Sequence, residues 1–164
     1  MTTLQKTFPL LALLSLLTAC APSAKPLTET QIDSAIAAAP PQITYFDEAR
    51  KINAQGYEAT KWITTSGNHA PFASNHFRTR TEAVKFVRNL YRFGATGVYA
   101  ADIMDEPARI KEEGGPYSDA LWLVLPKDPV QRRALFQIEA DSAKAEGFGP
   151  YEDTGQDKIF FWWD

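Results

Sequence analysis

The segment Ala120-Leu121-Trp122-Leu123-Val124-Leu125 is apolar throughout, with no polar residue interrupting it. A strand with one wet face alternates apolar and polar residues, so this unbroken run reads as a strand covered on both faces and central in its sheet. The punctuation on either side supplies the covering elements. Thr79-Arg80-Thr81-Glu82 fits a capping box, Val84, Val87, Leu90 and Tyr91 follow as an apolar stripe, and Gly94 stands where a left-handed helix cap belongs. Asp128-Pro129 gives an N-cap with proline at the first helical position. A helix is expected from there through Ala134, Leu135, Phe136 and Ile138 to about Glu146, closed by Gly147. Residues 96–102 read as a strand. Residues 158–164 read as a final strand after the turn chemistry of Asp153-Thr154-Gly155-Gln156-Asp157.

Upstream, Thr28-Glu29-Thr30-Gln31 fits a second capping box, with Ile32, Ala35, Ile36 and Ala39 at helical spacing until Pro40-Pro41. Residues 44–55 (Tyr45, Phe46, Ala49, Ile52) carry a weaker helical pattern closed by Gly56, and residues 57–65, with Trp62 and Ile63, read as a strand. The order from residue 57 is strand, helix, strand, strand, helix, strand. The expected class is α+β, a ferredoxin-like split βαβ sandwich (β-α-β-β-α-β) preceded by one or two short helices. The expected organisation is a signal peptide over residues 1–19, a lipidated tether over 20–27, an N-terminal helical segment over 28–56 packed on the domain, and the α+β domain over 57–164. In helix 82–93, the following Gly94-Ala95, and Pro126-Lys127-Asp128-Pro129, the chain resembles small bacterial domains of this topology. It also resembles ferredoxin-like regulators that inhibit a ribonuclease by binding it. Neither resemblance rests on a motif that carries chemistry, so neither transfers a site residue.

The first twenty residues are an address. Lys6 and the amino terminus form a positive n-region, and residues 8–17 form an apolar h-region of signal-peptide length. As a helix the apolar stretch from Phe8 to Ala19 would cover roughly 18 Å, short of a hydrocarbon core of about 30 Å, which argues against a membrane span. Leu17-Thr18-Ala19-Cys20 resembles the lipobox of bacterial lipoproteins, which implies cleavage before Cys20 and a lipid, palmitate included, on that cysteine. Several buried acyl chains at about 0.8 kcal/mol per methylene make such an anchor effectively permanent. Because Ala21 is not the aspartate associated with inner-membrane retention, the resemblance implies the periplasmic face of the outer membrane. Residues 21–26, rich in proline and small side chains, have the composition of a tether.

Charge and cysteine usage narrow the function. The net charge is -3, and removing residues 1–19 takes away one cation, Lys6, and no acid. Phosphate backbones are held by clustered Lys and Arg, and the local set Arg78, Arg80, Lys85, Arg88 and Arg92 reads as the solvated face of a helix, so no nucleic-acid partner is expected. Cys20 is the single cysteine, which excludes an intramolecular disulfide and leaves stability to the core alone.

Sites with chemistry are few. His69 and His76 share a loop and, with Asp102, are the residues from which a metal-dependent hydrolase could be assembled, yet no HExxH or His-x-Glu pattern supplies the rest. Asp102, Asp105 and Glu106 follow a strand and could meet a cation, while Asp105-Glu106-Pro107 also fits the cap of a short helix. The insert over residues 103–118 is long for a hairpin connection, and Asp105, Glu106, Glu112, Glu113 and Tyr117 are its partner-binding candidates. Asp153-Thr154-Gly155 lacks the apolar flanks of an aspartic peptidase and reads as a turn. Residues 160–163 offer either an aromatic stacking patch or the inward and outward faces of a last strand. No nucleophile elbow, phosphate loop or cofactor motif is present, so no cofactor is expected. The expected function is a non-catalytic protein-binding module at the membrane, bound to an envelope partner or acting as an immunity-type inhibitor. The alternatives are the hydrolase and a structural envelope component.

Overall fold

The caps read from the sequence start their helices where expected. Thr28 accepts from the Gln31 backbone and Gln31 answers in a capping box at the head of α1 (Glu29–Ala38). In the computed structural model, which describes residues 24–47 and 50–163, the chain continues as β1 (Gln42–Asp47), β2 (Ile52–Glu58), α2 (Ala59–Thr65), α3 (Arg80–Arg92), β3 (Gly97–Ala101), α4 (Pro107–Glu113), β4 (Ala120–Val124), α5 (Pro129–Ala145) and β5 (Lys158–Trp162). Residues 1–19 and Cys20 lie outside the described residues. Thr79 caps α3, Gly94 takes φ 99° beyond its end, and Asp128 accepts from Val130 and Gln131 to cap α5.

Two expectations are corrected in the first half. The described residues within 44–55 belong to two strands, with β1 and β2 antiparallel from Gln42↔Tyr57 to Asp47↔Ile52. The helical spacing of Tyr45, Phe46 and Ile52 is coincidental: on β1 Tyr45 is buried whereas its neighbour Phe46 is 46% exposed, as alternation on a strand requires, and Ile52 pairs with Asp47 where the register of the two strands ends. Asp47 closes the turn by accepting the Arg50 N–H at 3.0 Å. Residues 59–65 are helix α2, not strand, because the Glu58 carboxylate accepts from the Thr60 and Lys61 N–H groups at 3.1 and 2.8 Å and caps a new helix. The N-terminal segment therefore contributes two strands to the sheet.

The class is α+β. The sheet runs in sequential order β1-β2-β3-β4-β5, with every neighbouring pair antiparallel. A split βαβ unit sets the strands flanking a helix parallel with another strand between them; here β2 and β3 pair directly and antiparallel across α2 and α3, so the ferredoxin-like order is not the one formed. The middle strand is β3, buried at all its positions, while β4 leaves Trp122 and Val124 half-exposed.

Four of the helices, α1, α2, α3 and α5, crowd one face. Ile32 of α1, Ala59 and Ile63 of α2, Val87, Leu90 and Tyr91 of α3, and Leu135 and Phe136 of α5 share a core with Val98, Leu121, Leu123, Ile159, Phe161 and Trp163 of the sheet side. Arg88 binds Glu29 and Asp33 at 2.7 and 2.8 Å, and Arg92 also binds Glu29, which fastens α1 to α3. Arg80 donates to the carbonyls of Thr64, Ser66 and Asn68. Most of the basic set seen in the sequence is thus committed within the fold.

Candidate functional site

The opposite face of the sheet carries none of that core. Tyr45, Ala101 and Ala120 form a small second cluster there, with Ala54, Trp122 and Phe160 packed on it. Small residues make the floor: a side chain at Gly56 would stand 3.1 Å from the Tyr99 Cβ and 3.5 Å from the Tyr45 ring, so the glycine lets that ring lie down across the strands. Tyr45, Trp122 and Phe160 then follow one another with centroids 5.2 and 5.1 Å apart, tilted by 50° and 53°. Above them opens a groove of about 680 Å³, within the range of small-molecule sites.

Its two ends differ in chemistry. At one end Asp102, which closes β3 in a left-handed conformation (φ 48°), donates its N–H to the Tyr45 hydroxyl at 2.9 Å, and that hydroxyl donates back to Asp102 Oδ1 at 3.2 Å. A non-glycine residue held at positive φ is a strain that the surroundings must impose. Arg50 pairs with Asp102 and, at 2.9 Å, with Asp47. Burial, aided by the Asp102 charge, pushes the Tyr45 phenol above its ordinary range, so it stays a neutral donor.

The other end is a wall built by Tyr151, Glu152, Thr154, Gln156 and Lys158. Two buried charged residues, Arg132 and Glu139, on one face of α5 hold it. Arg132, 8% exposed, forks onto Asp153 and donates to the carbonyls of Gln156 and Pro126 at 3.1 and 3.3 Å. Its guanidinium keeps the Asp153 carboxyl below the usual range. Glu139 accepts the Tyr151 N–H at 3.0 Å, and burial raises its carboxyl. Asp153-Thr154-Gly155 is the turn expected, with Gly155 at φ 84° donating to Asp153 Oδ1.

The residues singled out in the sequence are scattered around this groove. Asp102 sits on the lip between it and a second cleft of about 460 Å³, which Asp105 lines with Tyr57 and Trp62. His69 is exposed on its loop, and His76 faces Glu146 at 3.2 Å with its ring 4.7 Å from Phe77. Among the described residues no three His, Cys, Asp or Glu side chains are grouped to hold a metal ion, so His69, His76 and Asp102 are not brought together. In the insert, Pro107 opens α4 and Gly114 closes it at φ 82°. Glu113 binds Arg109 at 2.9 Å and accepts from the buried Asn68 amide at 3.1 Å. Tyr117 lies under Arg109 and accepts the Ser74 N–H. Glu113 and Tyr117 are thereby tied into the fold, while Asp105, Glu106 and Glu112 face solvent.

Sequence reasoning missed the groove because Tyr45 was read into a helix and Trp122 into a strand buried on both sides. The available signal was the small-residue set Ala54, Gly56, Ala101 and Ala120 opposite isolated aromatics, which marks a floor beneath rings. No family model matches the chain, and no curated protein or solved structure matches it.

Proposed function

We propose a non-catalytic binding module, held at a membrane surface through a lipid on Cys20, whose binding element is the aromatic groove on the sheet face opposite the core shared by α1, α2, α3 and α5. The observation that carries this reading is the Tyr45–Trp122–Phe160 series, with Trp122 and Phe160 half-exposed beneath about 680 Å³ of space and one wall fixed by buried Arg132 and Glu139. Half-exposed aromatic rings held in a fixed arrangement favour binding over chemistry. An envelope protein, or a toxin held by immunity-type inhibition, is the macromolecular form of the reading. The exposed Phe148–Trp162 stack, with centroids 5.2 Å apart beside β5, is the surface suited to it.

The test uses a neutral dye. Nile red added to the purified chain is expected to bind saturably at one site, with Trp122→Ala weakening it at least about tenfold, the loss expected for a buried aromatic contact. Far-ultraviolet dichroism of the variant checks the fold. Unsaturable dye uptake, or uptake indifferent to Trp122, removes the groove from consideration.

Placement at the periplasmic face of the outer membrane rests on the lipobox and on Ala21. The point of entry supports an outward-facing groove: Leu27 donates to the Arg92 carbonyl and α1 packs on α3, so the tether joins the helical layer, opposite the groove. Intact-mass measurement of chain extracted from membranes is expected to give a product beginning at Cys20 with added acyl mass. A free thiol, or a retained leader, would end the anchoring proposal.

A further inference from the structure

We infer that the groove takes a small monocarboxylic acid with a hydrocarbon or aromatic body, its carboxylate on Lys158 and its apolar part along Phe160 and Trp122. This rests on the groove being the binding element, and charge complementarity selects the ligand. The lining contains the carboxylates of Asp47, Asp102 and Glu152 and the cations of Arg50 and Lys158. Arg50 is taken up by Asp47 and Asp102. Asp157, the chain neighbour of Lys158, feels its charge through space, but the Asp157 carboxylate is held by Lys127 at 2.9 Å. Glu152 stands on the exposed rim, and Lys158 enters no ion pair among the described residues.

Lys158 is half-buried and lines the groove. It lies two residues from Phe160 on the same face of β5, opposite Val124 in the register that sets Phe160 opposite Trp122. The aromatic series therefore ends at an ammonium that enters no ion pair among the described residues. A cation at the end of an apolar lining favours an anion beside it, so a neutral ligand leaves that interaction unused. A ligand with several negative charges would meet Asp47, Asp102 and Glu152. One negative charge on an apolar body is what the lining accommodates.

Hexanoate, octanoate and decanoate titrated into the purified chain, followed by tryptophan fluorescence and calorimetry, test the inference. Saturable binding is expected, tightening about fourfold per methylene added. Lys158→Gln is expected to weaken decanoate about tenfold, Lys158→Arg to restore most of it, and decanol to bind more weakly than decanoate and to ignore both substitutions. Equal affinity for decanol and decanoate, an unchanged decanoate affinity in Lys158→Gln, or a response only to a peptide ending in phenylalanine would each overturn the assignment. If the acids fail while Nile red still binds, only the ligand class falls; if both fail, the groove falls with it.

Discussion

Trp163→Ala is expected to lower folding stability by about 4 kcal/mol, as large core aromatics do when truncated. The side chain is fully buried just beyond the last strand. Its ring lies 5.5 Å from each of Phe72, Phe77 and Phe86, and 5.7 Å from Phe161. These residues come from the loop before α3, from α3 and from β5, so one indole joins elements far apart in sequence. Its backbone N–H donates to the Asp119 carbonyl at 3.0 Å, which anchors the end of β5 to the start of β4. Small domains hold only about 5–15 kcal/mol, so the loss takes a large part of the total. Trp163→Phe should behave differently. The indole Nε1 is buried without a hydrogen-bond partner among the described residues, and deleting that donor relieves a cost of about 1–3 kcal/mol that offsets the lost volume. Urea denaturation of the three proteins decides the matter: a cost for Trp163→Ala under about 1.5 kcal/mol, or equal costs for the two variants, contradicts this account of the core.

The contrast between the halves of the chain shows what a sequence makes legible. In the second half, capping residues, glycines at positive φ and apolar periodicity agree with one another, and α3, β3, β4, α5 and β5 form where the residues place them. In the first half they conflict. Tyr45 and Ile52 fall at helical spacing, yet Ile43, Thr44, Tyr45 and Phe46 are β-branched or aromatic, and the Asp47 turn lets the hairpin win. Strand order was invisible for another reason. Whether β2 and β3 pair directly depends on how α2 and α3 stack above them, a long-range matter that no local pattern encodes. The groove was hidden likewise, since Tyr45 and Trp122 are far apart in the chain and meet only across the intervening strands. The insert shows the reverse error. Its acids looked available for a partner, but Glu113 satisfies Asn68 and Arg109, a use of charge that only the folded contacts disclose.

Glu58 is where local and long-range information meet, and removing it should cost about 3 kcal/mol. The side chain is 4% exposed. Its carboxylate accepts the Thr60 and Lys61 N–H groups and, at 3.1 Å, the Tyr91 hydroxyl, which in turn accepts the Val98 N–H at 3.1 Å. One carboxylate thus starts α2 and ties it, through α3, to the central strand. Burial, with the Glu58 charge adding to it, pushes the Tyr91 phenol well above its ordinary range, so the hydroxyl remains a donor. In Glu58→Ala the lost cap contributes about 1 kcal/mol and the orphaned buried hydroxyl about 2 kcal/mol more. Glu58→Gln keeps an acceptor oxygen and is expected to lose only about 1 kcal/mol. Tyr91→Phe strands the Val98 N–H and should cost about 2 kcal/mol. Because the groups form one network, the double variant Glu58→Ala with Tyr91→Phe is expected to fall short of the sum of the single losses by about 1 kcal/mol or more in denaturant unfolding. Strict additivity would mean that Glu58 caps α2 alone, and that β3 is held in place by its strand neighbours without help from this carboxylate.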